Sequence, residues 1–383
     1  MAPETADTSP PRGTESAVAE ATAFGGSSAI RQAFDSAGLA AWMHANVPGF
    51  AGGLQVEQFN GGQSNPTYKL TDAAGTRYVM RRKPPGTLLA SAHAVDREYR
   101  VMTALADTGV PVPRTHGLCT DDRVIGTMFY VMAYVPGRVI WDINTEAWSN
   151  ADRRAVFDAA LGAIAKLHTV DYQKVGLGDY GKPGNYFARQ FKRWSGQYEY
   201  TKSALANPAL EALIQWIPAH TPSDDRTTIV HGDPNISNMM FHGEKPEVLA
   251  LLDWELSTLG HPLVDVAYLF HGYYSAPFEG PPTLPRLGLP TVDQVIDQYC
   301  AATNIPRISD QDWRFYIVFN MFRLSAILQG IAKRAQDGTA SNPQAVLMGG
   351  RAVALAASAM ELASGGGGPG PSTSTAAPPA AGQ

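Results

Sequence analysis

Apolar residues recur along this chain with two different periods, and the period changes near residue 136. Before that point, short apolar and polar runs bounded by turn residues predict strands at 54–59, 67–70, 77–82, 114–119 and 127–134. Apolar residues at helical spacing predict helices at 30–46 and 91–108. The first part of the chain is therefore predicted to be a β-rich domain with one main helix inserted among its strands.

After residue 136 the pattern is mostly helical. Helices are predicted at 151–169, 184–204, 207–217, 263–272, 291–303, 311–335 and 343–363. The exception is the polar turn GEKPE between two short apolar runs, 238–242 and 248–252, which predicts a β-hairpin. The most apolar segment, 315–332, contains Asn320 and Arg323 near its middle, so we expect a buried helix there and not a membrane span.

The VPG sequence at 135–137 breaks the last predicted strand and marks the predicted boundary between two domains. We predict a nucleotide-binding N-terminal domain at 27–135 and a catalytic C-terminal domain at 136–363. The segments 1–26 and 364–383 are rich in Ala, Pro, Ser, Thr and Gly, a composition typical of disordered tails.

Composition narrows the function further. The net charge is −5, which leaves no basic surface for nucleic acid or an acidic membrane. Only two cysteines are present, Cys119 and Cys300, so we expect neither a disulfide framework nor a structural zinc site. This cysteine usage predicts a protein of the reducing cytosol. The first residues show no basic and apolar segments of a signal peptide.

The segment HGDPNISN at 231–238, followed by LLDWE at 251–255, carries the strongest chemical signal. The predicted hairpin brings Asn238, at the end of its first loop, close to Asp253, at the end of its second strand. Phosphoryl transfer needs a carboxylate to accept a hydroxyl proton, which Asp233 can supply. It also needs hard oxygen ligands for Mg²⁺, which Asn238 and Asp253 can supply. An Asp-Pro-Asn turn followed by a strand-terminal Asp is the alternative interpretation.

These residues resemble the aminoglycoside phosphotransferase-like kinases, whose pattern is HGDxxxxN followed by a strand that ends in Asp. The segments 78–86, 93–102 and 181–198 are similar to the kinase-like domains associated with acyl-CoA dehydrogenases. The resemblance covers about residues 30–360. It implies an α+β, protein-kinase-like fold of two lobes, with a small β-rich N-lobe and a larger, mostly helical C-lobe.

The resemblance assigns the loop at 59–70 to the nucleotide phosphates. In FNGGQSNPTYKL, glycines allow backbone amides to approach an anion, and polar side chains add donors. The residues predicted to bind there are Gly61, Gly62, Gln63, Ser64 and Asn65. An ordinary Asn-Gly hairpin turn explains the same residues.

A kinase also needs a cation that holds the phosphates and pairs with a helix carboxylate. Arg81 and Lys83 share one face of the strand-like segment RYVMRRK at 77–83, and Glu98 shares a helix face with apolar residues. We predict an Arg81–Glu98 pair, with Lys83 as the alternative cation. Arginine stands where related kinases use lysine, but it keeps its charge and can bind phosphate through two hydrogen bonds. Solvated surface charges are the competing interpretation.

The resemblance assigns further roles around the cleft. The strand in FYVMAYVPG at 129–137 would supply a hinge whose backbone, near Met132 and Tyr134, reads the adenine edge. His231 would organise the catalytic loop, and Asp265 would brace it. Glu255 is two residues after Asp253, so it could bind the metal through water; an exposed loop acid is the alternative.

The helix at 184–204 carries cations away from its aromatic stripe, namely Arg189, Lys192 and Arg193. They suit an anionic acceptor better than a polycationic antibiotic, although solvated basic residues are the simpler interpretation. We therefore predict an ATP- and Mg²⁺-dependent kinase acting on a small-molecule hydroxyl. The resemblance implies a hydroxyacyl-CoA acceptor and a functional link to an acyl-CoA dehydrogenase. The alternatives are an aminoglycoside, choline or homoserine-type kinase, or a nucleotide-binding pseudokinase module.

Overall fold

The computed structural model describes residues 27–28, 33–59, 65–84, 94–141, 148–274, 288–338, 345 and 347–366. The chain divides into two compact units. The first comprises residues 1–180 and 231–258, and the second comprises residues 181–230 and 259–383. The predicted boundary lies at residue 136, whereas the first unit continues to residue 180 and also includes the hairpin that follows HGD.

An antiparallel sheet dominates the first unit. Its strands are β1 (Ser27–Ser28), β2 (Leu54–Phe59), β3 (Thr67–Asp72), β4 (Arg77–Arg82), β5 (Thr115–Cys119) and β6 (Phe129–Ala133). They are ordered β1-β2-β3-β4-β6-β5, so the predicted strands are confirmed. The register of β4 on β6 sets Arg81 opposite Tyr130 and Val79 opposite Met132. Directly opposite residues project from the same face, so these four side chains line one side of the sheet in two adjacent pairs.

Three helices of the first unit are described, α1 (Ser36–Asn46), α2 (Val95–Leu105) and α3 (Asn150–His168). Helix α1 begins later than predicted because the Asp35 side chain caps it, accepting a 2.9 Å hydrogen bond from the Gly38 amide. The apolar face of α1 packs on the sheet through Leu39 and Met43. Helix α2 buries Glu98 beside its apolar residues, as its helical spacing predicts.

The predicted hairpin is confirmed as part of a second, smaller sheet. Its strands are β9 (Met239–Phe241) and β10 (Val248–Leu251), and β9 also pairs with β7 (Arg138–Val139). In addition, the Leu251 amide donates a 2.9 Å hydrogen bond to the Pro111 carbonyl. These backbone pairs hold the hairpin to the segments that precede β5 and follow β6, which explains why it belongs to the first unit.

The second unit is mainly helical. Its elements are α4 (Tyr186–Thr201), α5 (Pro208–His220), β8 (Thr228–Val230), β11 (Thr258–Gly260, of which the last two residues belong here), α6 (Leu263–Phe270), α7 (Val292–Thr303), α8 (Asp310–Gln336) and α9 (Met348–Ala363). Helix α8 packs against α4, α5, α6 and α9. It is long and apolar enough to span a membrane, but 78% of its most apolar stretch is buried inside the protein. This burial confirms the prediction of a core helix, in which Asn320 and Arg323 are also buried.

The turn between β6 and β7 yields a test of this packing. A Cβ atom at Gly137 would collide with the Phe241 carbonyl oxygen and lie 2.8 Å from Met240 Cγ. We expect Gly137→Ala to lower the free energy of unfolding by about 1–3 kcal/mol, as overpacking does. Chemical denaturation measures the change.

Gly162 in α3 provides the matched control, because a Cβ there has no neighbouring atom within 4 Å. In a helix interior, Gly162→Ala should raise stability by about 0.5–1 kcal/mol. Equal effects of the two substitutions would contradict the close approach at Gly137.

Candidate active site

Arg81 is a buried cation held between two carboxylates. Its Nε lies 3.1 Å from Glu98 Oε2, and its Nη2 donates a 2.6 Å hydrogen bond to Asp253 Oδ1. Burial alone would lower the pKa of Arg81, but the charges of Glu98 and Asp253 outweigh it and raise the pKa well above its ordinary value. The guanidinium therefore stays charged, and it is Arg81 that makes the predicted contact with Glu98.

Glu98 is almost fully buried and has two further hydrogen-bond donors. Asn65 Nδ2 donates to Oε1 at 2.9 Å, and the Tyr130 hydroxyl donates to Oε2 at 3.1 Å. Burial raises the pKa of Glu98 to about 7; Arg81 opposes this shift, whereas the charges of Asp253 and Glu255 add to it. Burial and the charge of Glu98 also raise the pKa of Tyr130, so its hydroxyl remains a donor. Glu98 is thus fixed from three sides.

Asp253 has a backbone conformation that is uncommon for a residue with a side chain. Its φ is 64°, in the left-handed region, where Asp is tolerated better than most residues at a cost of about 1–3 kcal/mol. The strained turn is held on both sides. The Leu252 amide donates to the Asn238 carbonyl at 2.8 Å, and Trp254 Nε1 donates to the Leu251 carbonyl at 3.0 Å. The turn directs the Asp253 carboxylate toward Arg81.

Three carboxylates lie close together near the end of β10. Carboxylate oxygens of Glu98, Asp253 and Glu255 lie within 4.8 Å of one another. One guanidinium faces these three acids, so the cluster carries more negative than positive charge when its acids are ionised. Carboxylate oxygens in this arrangement are the donors that Mg²⁺ prefers.

Asp233 is oriented by Asn238, five residues later. Asn238 Nδ2 donates to the Asp233 backbone carbonyl at 3.0 Å and to its carboxylate Oδ2 at 3.1 Å. The other carboxylate oxygen, Oδ1, is buried and has no hydrogen-bond partner among the described residues. A buried acceptor without a donor is costly, so a hydroxyl group brought to this atom would be stabilised. The nitrogen of Asn238 is committed to Asp233, which leaves its Oδ1 as the atom able to bind a metal.

His231 holds the loop together. Its Nε2 lies 2.9 Å from the Leu252 carbonyl, and its Nδ1 lies 3.4 Å from the Asp233 amide. A carbonyl can only accept and an amide can only donate, so these partners specify the neutral ring with its proton on Nε2. The ring also packs on Trp254, at 4.7 Å between centroids. These contacts join the two ends of the HGD-to-hairpin segment, as expected of a structural organiser.

A cavity in the first unit connects these polar groups to an apolar chamber. Arg81, Tyr130, Asn238 and Asp253 line it on the polar side. Its apolar lining consists of Phe59, Val79, Met102, Met132, Val139 and Leu252, with Trp141 at an exposed position. A flat apolar ring with a charged tail, such as a nucleotide, matches this combination of surfaces.

Of the five loop residues predicted to bind the nucleotide phosphates, the structure describes only Asn65. Gly61, Gly62, Gln63 and Ser64 lie outside the described residues. Asn65 is fully buried and donates to Glu98, a contact that the sequence did not predict.

The predicted hinge residues also have distinct surroundings. The Met132 side chain lines the cavity, whereas the Tyr134 ring packs under the Arg77 guanidinium at 4.4 Å and its amide faces the Arg77 carbonyl at 3.4 Å. Adenine recognition by this segment stays a prediction.

The remaining predicted residues lie in the second unit. Asp265 is fully buried in the first turn of α6. Arg189 donates to the backbone carbonyls of Gly184 and Lys182, the latter at 2.6 Å, so it holds the turn that precedes α4. Lys192 and Arg193 are exposed, and Arg193 stacks on Trp194 at 4.7 Å. The proposed acceptor contacts therefore rest on Lys192 and Arg193.

Tyr130 and Trp141 are the site residues that the sequence reasoning missed. Tyr130 shares one face of a buried strand with Met132, and Val131 lies on the other face, so the position of Tyr130 could have been assigned once its register with Arg81 was known. Trp141 follows a two-residue strand and carries no periodic signal.

A model of the phosphotransferase enzyme family (APH) matches residues 55–303 of this chain. Among curated relatives, mouse acyl-CoA dehydrogenase family member 10 is 45% identical over 301 residues, covering 77% of this chain and 28% of that protein. Human acyl-CoA dehydrogenase family member 11 is 35% identical over 346 residues, covering 86% and 43%. The chain spans less than half the length of these relatives.

Solved structures of phosphotransferases share the fold of this chain. A candidate aminoglycoside phosphotransferase from Ralstonia eutropha JMP134 is 49% identical with a TM-score of 0.79, covering 87% of this chain and 99% of that one. A macrolide 2'-phosphotransferase from Brachybacterium faecium shares the fold at 17% identity, with a TM-score of 0.54 and coverage of 83% and 97%. The predicted protein-kinase-like α+β class is confirmed by these neighbours. The family match over most of the chain, together with this shared fold, shows that the chain belongs to the phosphotransferase enzyme family.

Proposed function

We propose that this chain transfers the γ-phosphoryl group of ATP, bound with Mg²⁺, to the hydroxyl group of a small molecule. The observation that carries the proposal is the arrangement of Asp233 and Asn238 beside the Arg81–Asp253 pair. A proton acceptor, a phosphate-binding cation and oxygen donors for a metal thereby occur within one unit, as phosphoryl transfer requires.

The residues fit a divalent metal on charge and on donor type. Arg81 pairs with Glu98 and Asp253, and Glu255 adds a third carboxylate beside them, so an added cation would offset the excess negative charge. Asp253 and Asn238 would hold Mg²⁺, with Glu255 acting through water. When bound, Mg²⁺ neutralises charge on the β- and γ-phosphates.

Asp233 performs the proton step in this proposal. The acceptor hydroxyl oxygen forms a bond to the γ-phosphorus, and its proton moves to the Asp233 carboxylate. The bond from phosphorus to the β–γ bridging oxygen breaks, and the electron pair leaves with ADP. Asn238 keeps the Asp233 carboxylate from rotating during this step, which reduces the reorganisation that the reaction needs.

Arg81 binds the phosphates in this proposal. Its guanidinium already has two anionic partners, and the planar fork of donors can engage phosphate oxygens as well. Glu98 would keep Arg81 in place if Asp253 also served as a ligand to Mg²⁺. Arginine therefore performs the part that lysine has in other kinases.

For the acceptor we propose a hydroxyacyl-CoA thioester. Two observations support it, namely the acyl-CoA dehydrogenase names of the relatives and the exposed cations Lys192 and Arg193. Phosphorylation would convert a poor leaving group into a better one and prepare the acyl chain for elimination. The name of the Ralstonia relative favours a second candidate, an aminoglycoside acceptor.

The base is tested by Asp233→Asn, which keeps the shape of the side chain and removes the proton acceptor. We expect kcat to fall by about 10²–10⁴-fold with ATP affinity nearly unchanged. Steady-state kinetics and calorimetry measure the two quantities. Asp122→Asn, at an exposed loop carboxylate, is the control and should leave both unchanged. Turnover near the wild-type level in Asp233→Asn would refute the assignment.

The metal ligands are tested by Asp253→Ala. We expect the Mg²⁺-dependent part of nucleotide affinity to disappear, because the carboxylate that joins the metal to the protein is gone. Asn238→Ala should weaken it less, since an amide carries no charge, but should also lower kcat by releasing Asp233. Calorimetry with and without Mg²⁺ separates these effects. Equal Mg-ATP binding by wild type and Asp253→Ala would exclude the metal role.

The acceptor is tested by turnover with hydroxyacyl-CoA thioesters and with kanamycin-like polycations. For a CoA thioester, neutralising Lys192 and Arg193 should raise its KM roughly two- to thirty-fold, leave the KM for ATP unchanged, and lose effect at high salt. Lys202→Gln is the control, because Lys202 is a cation in the same unit that pairs with Glu199. If the enzyme phosphorylates polycations well and does not phosphorylate CoA thioesters, the proposed acceptor is wrong and the proposed kinase activity stands.

A further inference from the structure

Trp141 stands apart from every other tryptophan of this chain. Its side chain is 61% exposed, whereas the other six tryptophans are buried or half-buried. Exposing a large aromatic ring to water is unfavourable, so such a ring is a candidate for covering by a ligand.

The position of Trp141 in the cavity indicates the kind of ligand that would cover its ring. It lines the same cavity as Arg81 and Asp253, and Val139, two residues earlier, lines that cavity too. The ring is therefore part of a concave pocket with an apolar chamber and a charged side, and not part of a flat surface patch. A pocket of this kind suits one molecule that has both a flat apolar ring and a polyanionic tail, where a divalent cation would offset the excess negative charge of Glu98, Asp253 and Glu255.

The backbone that carries Trp141 is anchored. Arg138 and Val139 pair with Phe241 and Met240 of β9, and Gly137 packs directly on the Phe241 carbonyl. The ring therefore projects from a segment whose start is fixed, which limits the ordering cost of a contact with ligand.

We propose that Trp141 stacks on the purine ring of the nucleotide and contributes to nucleotide affinity. The inference rests on the proposed function, because it takes the occupant of this cavity to be ATP. A purine ring also occurs in coenzyme A, the acceptor carrier proposed above. The nucleotide is favoured because the phosphate-binding and metal-binding groups line the same cavity as Trp141.

Calorimetry on the full chain, with Mg²⁺ present throughout, tests this inference with three probes. ADP carries the purine and phosphates, inorganic tripolyphosphate carries phosphates alone, and coenzyme A carries the competing purine. Trp141→Ala should weaken ADP binding by about 5- to 30-fold, toward the lower end of base–aromatic stacking. Tripolyphosphate affinity should not change, since it has no base. Trp141→Phe keeps a ring and should retain ADP affinity within about three-fold.

Fluorescence provides a second measurement that does not depend on the alanine variant. ADP should quench part of the wild-type tryptophan emission, and Trp141→Phe should remove that quenching. Trp148→Phe, at a half-buried tryptophan that packs under Arg138, is the control and should retain it.

Each remaining outcome overturns the inference in a distinguishable way. If wild type binds ADP and Trp141→Ala binds it equally, the stacking role is wrong while the kinase proposal stands. Equal losses for ADP and tripolyphosphate would indicate a structural effect on the pocket. A loss confined to coenzyme A would assign Trp141 to the acceptor. Failure of wild type to bind ADP would reject the proposed function together with this inference.

Discussion

The burial of the Arg81 charge is the constraint on which the rest of the site depends. Removing a guanidinium from water costs several kcal/mol unless anionic partners with good geometry replace the solvent. Those partners, Glu98 and Asp253, come from a helix and from a turn 172 residues away from Arg81 in sequence. The position of α2 on the sheet and the turn after β10 must therefore be correct together. Asn65 then donates to Oε1 of Glu98, and Tyr130 donates to Oε2, the oxygen that also faces Arg81.

The loop that carries Asp233 is built on the same principle of satisfying polar groups locally. His231 and Asn238 use backbone carbonyls and one carboxylate as partners, so the loop is held by its own side chains. The positive φ of Asp253 is maintained by hydrogen bonds on both sides of it. Strain that would otherwise relax is thus kept at the residue whose carboxylate faces Arg81.

The two sides of the proposed reaction rest on different kinds of evidence. The phosphate side is built from buried or half-buried, mutually bonded groups in one unit, and this arrangement permits little variation. The acceptor side is represented by exposed cations, and Arg189, which the sequence grouped with them, is occupied by backbone carbonyls. Exposed charges can change during evolution at little cost to the stability of the fold. The same phosphotransferase fold therefore occurs in relatives named for acyl-CoA dehydrogenases and in one named for aminoglycosides.

Local signals in the sequence determined much of the secondary structure and pointed to the candidate site residues. Strand alternation and helical spacing specify β2, β4 and the hairpin, because these depend on neighbours within a few residues. The hairpin in turn predicts that Asn238 and Asp253 lie close together. Only the tertiary structure decided that Arg81 pairs with Asp253 as well as Glu98, that Asn65 and Tyr130 bond to Glu98, and that Trp141 lines the cavity. These contacts join segments distant along the chain, and periodicity along one segment carries no information about which distant partner it will meet.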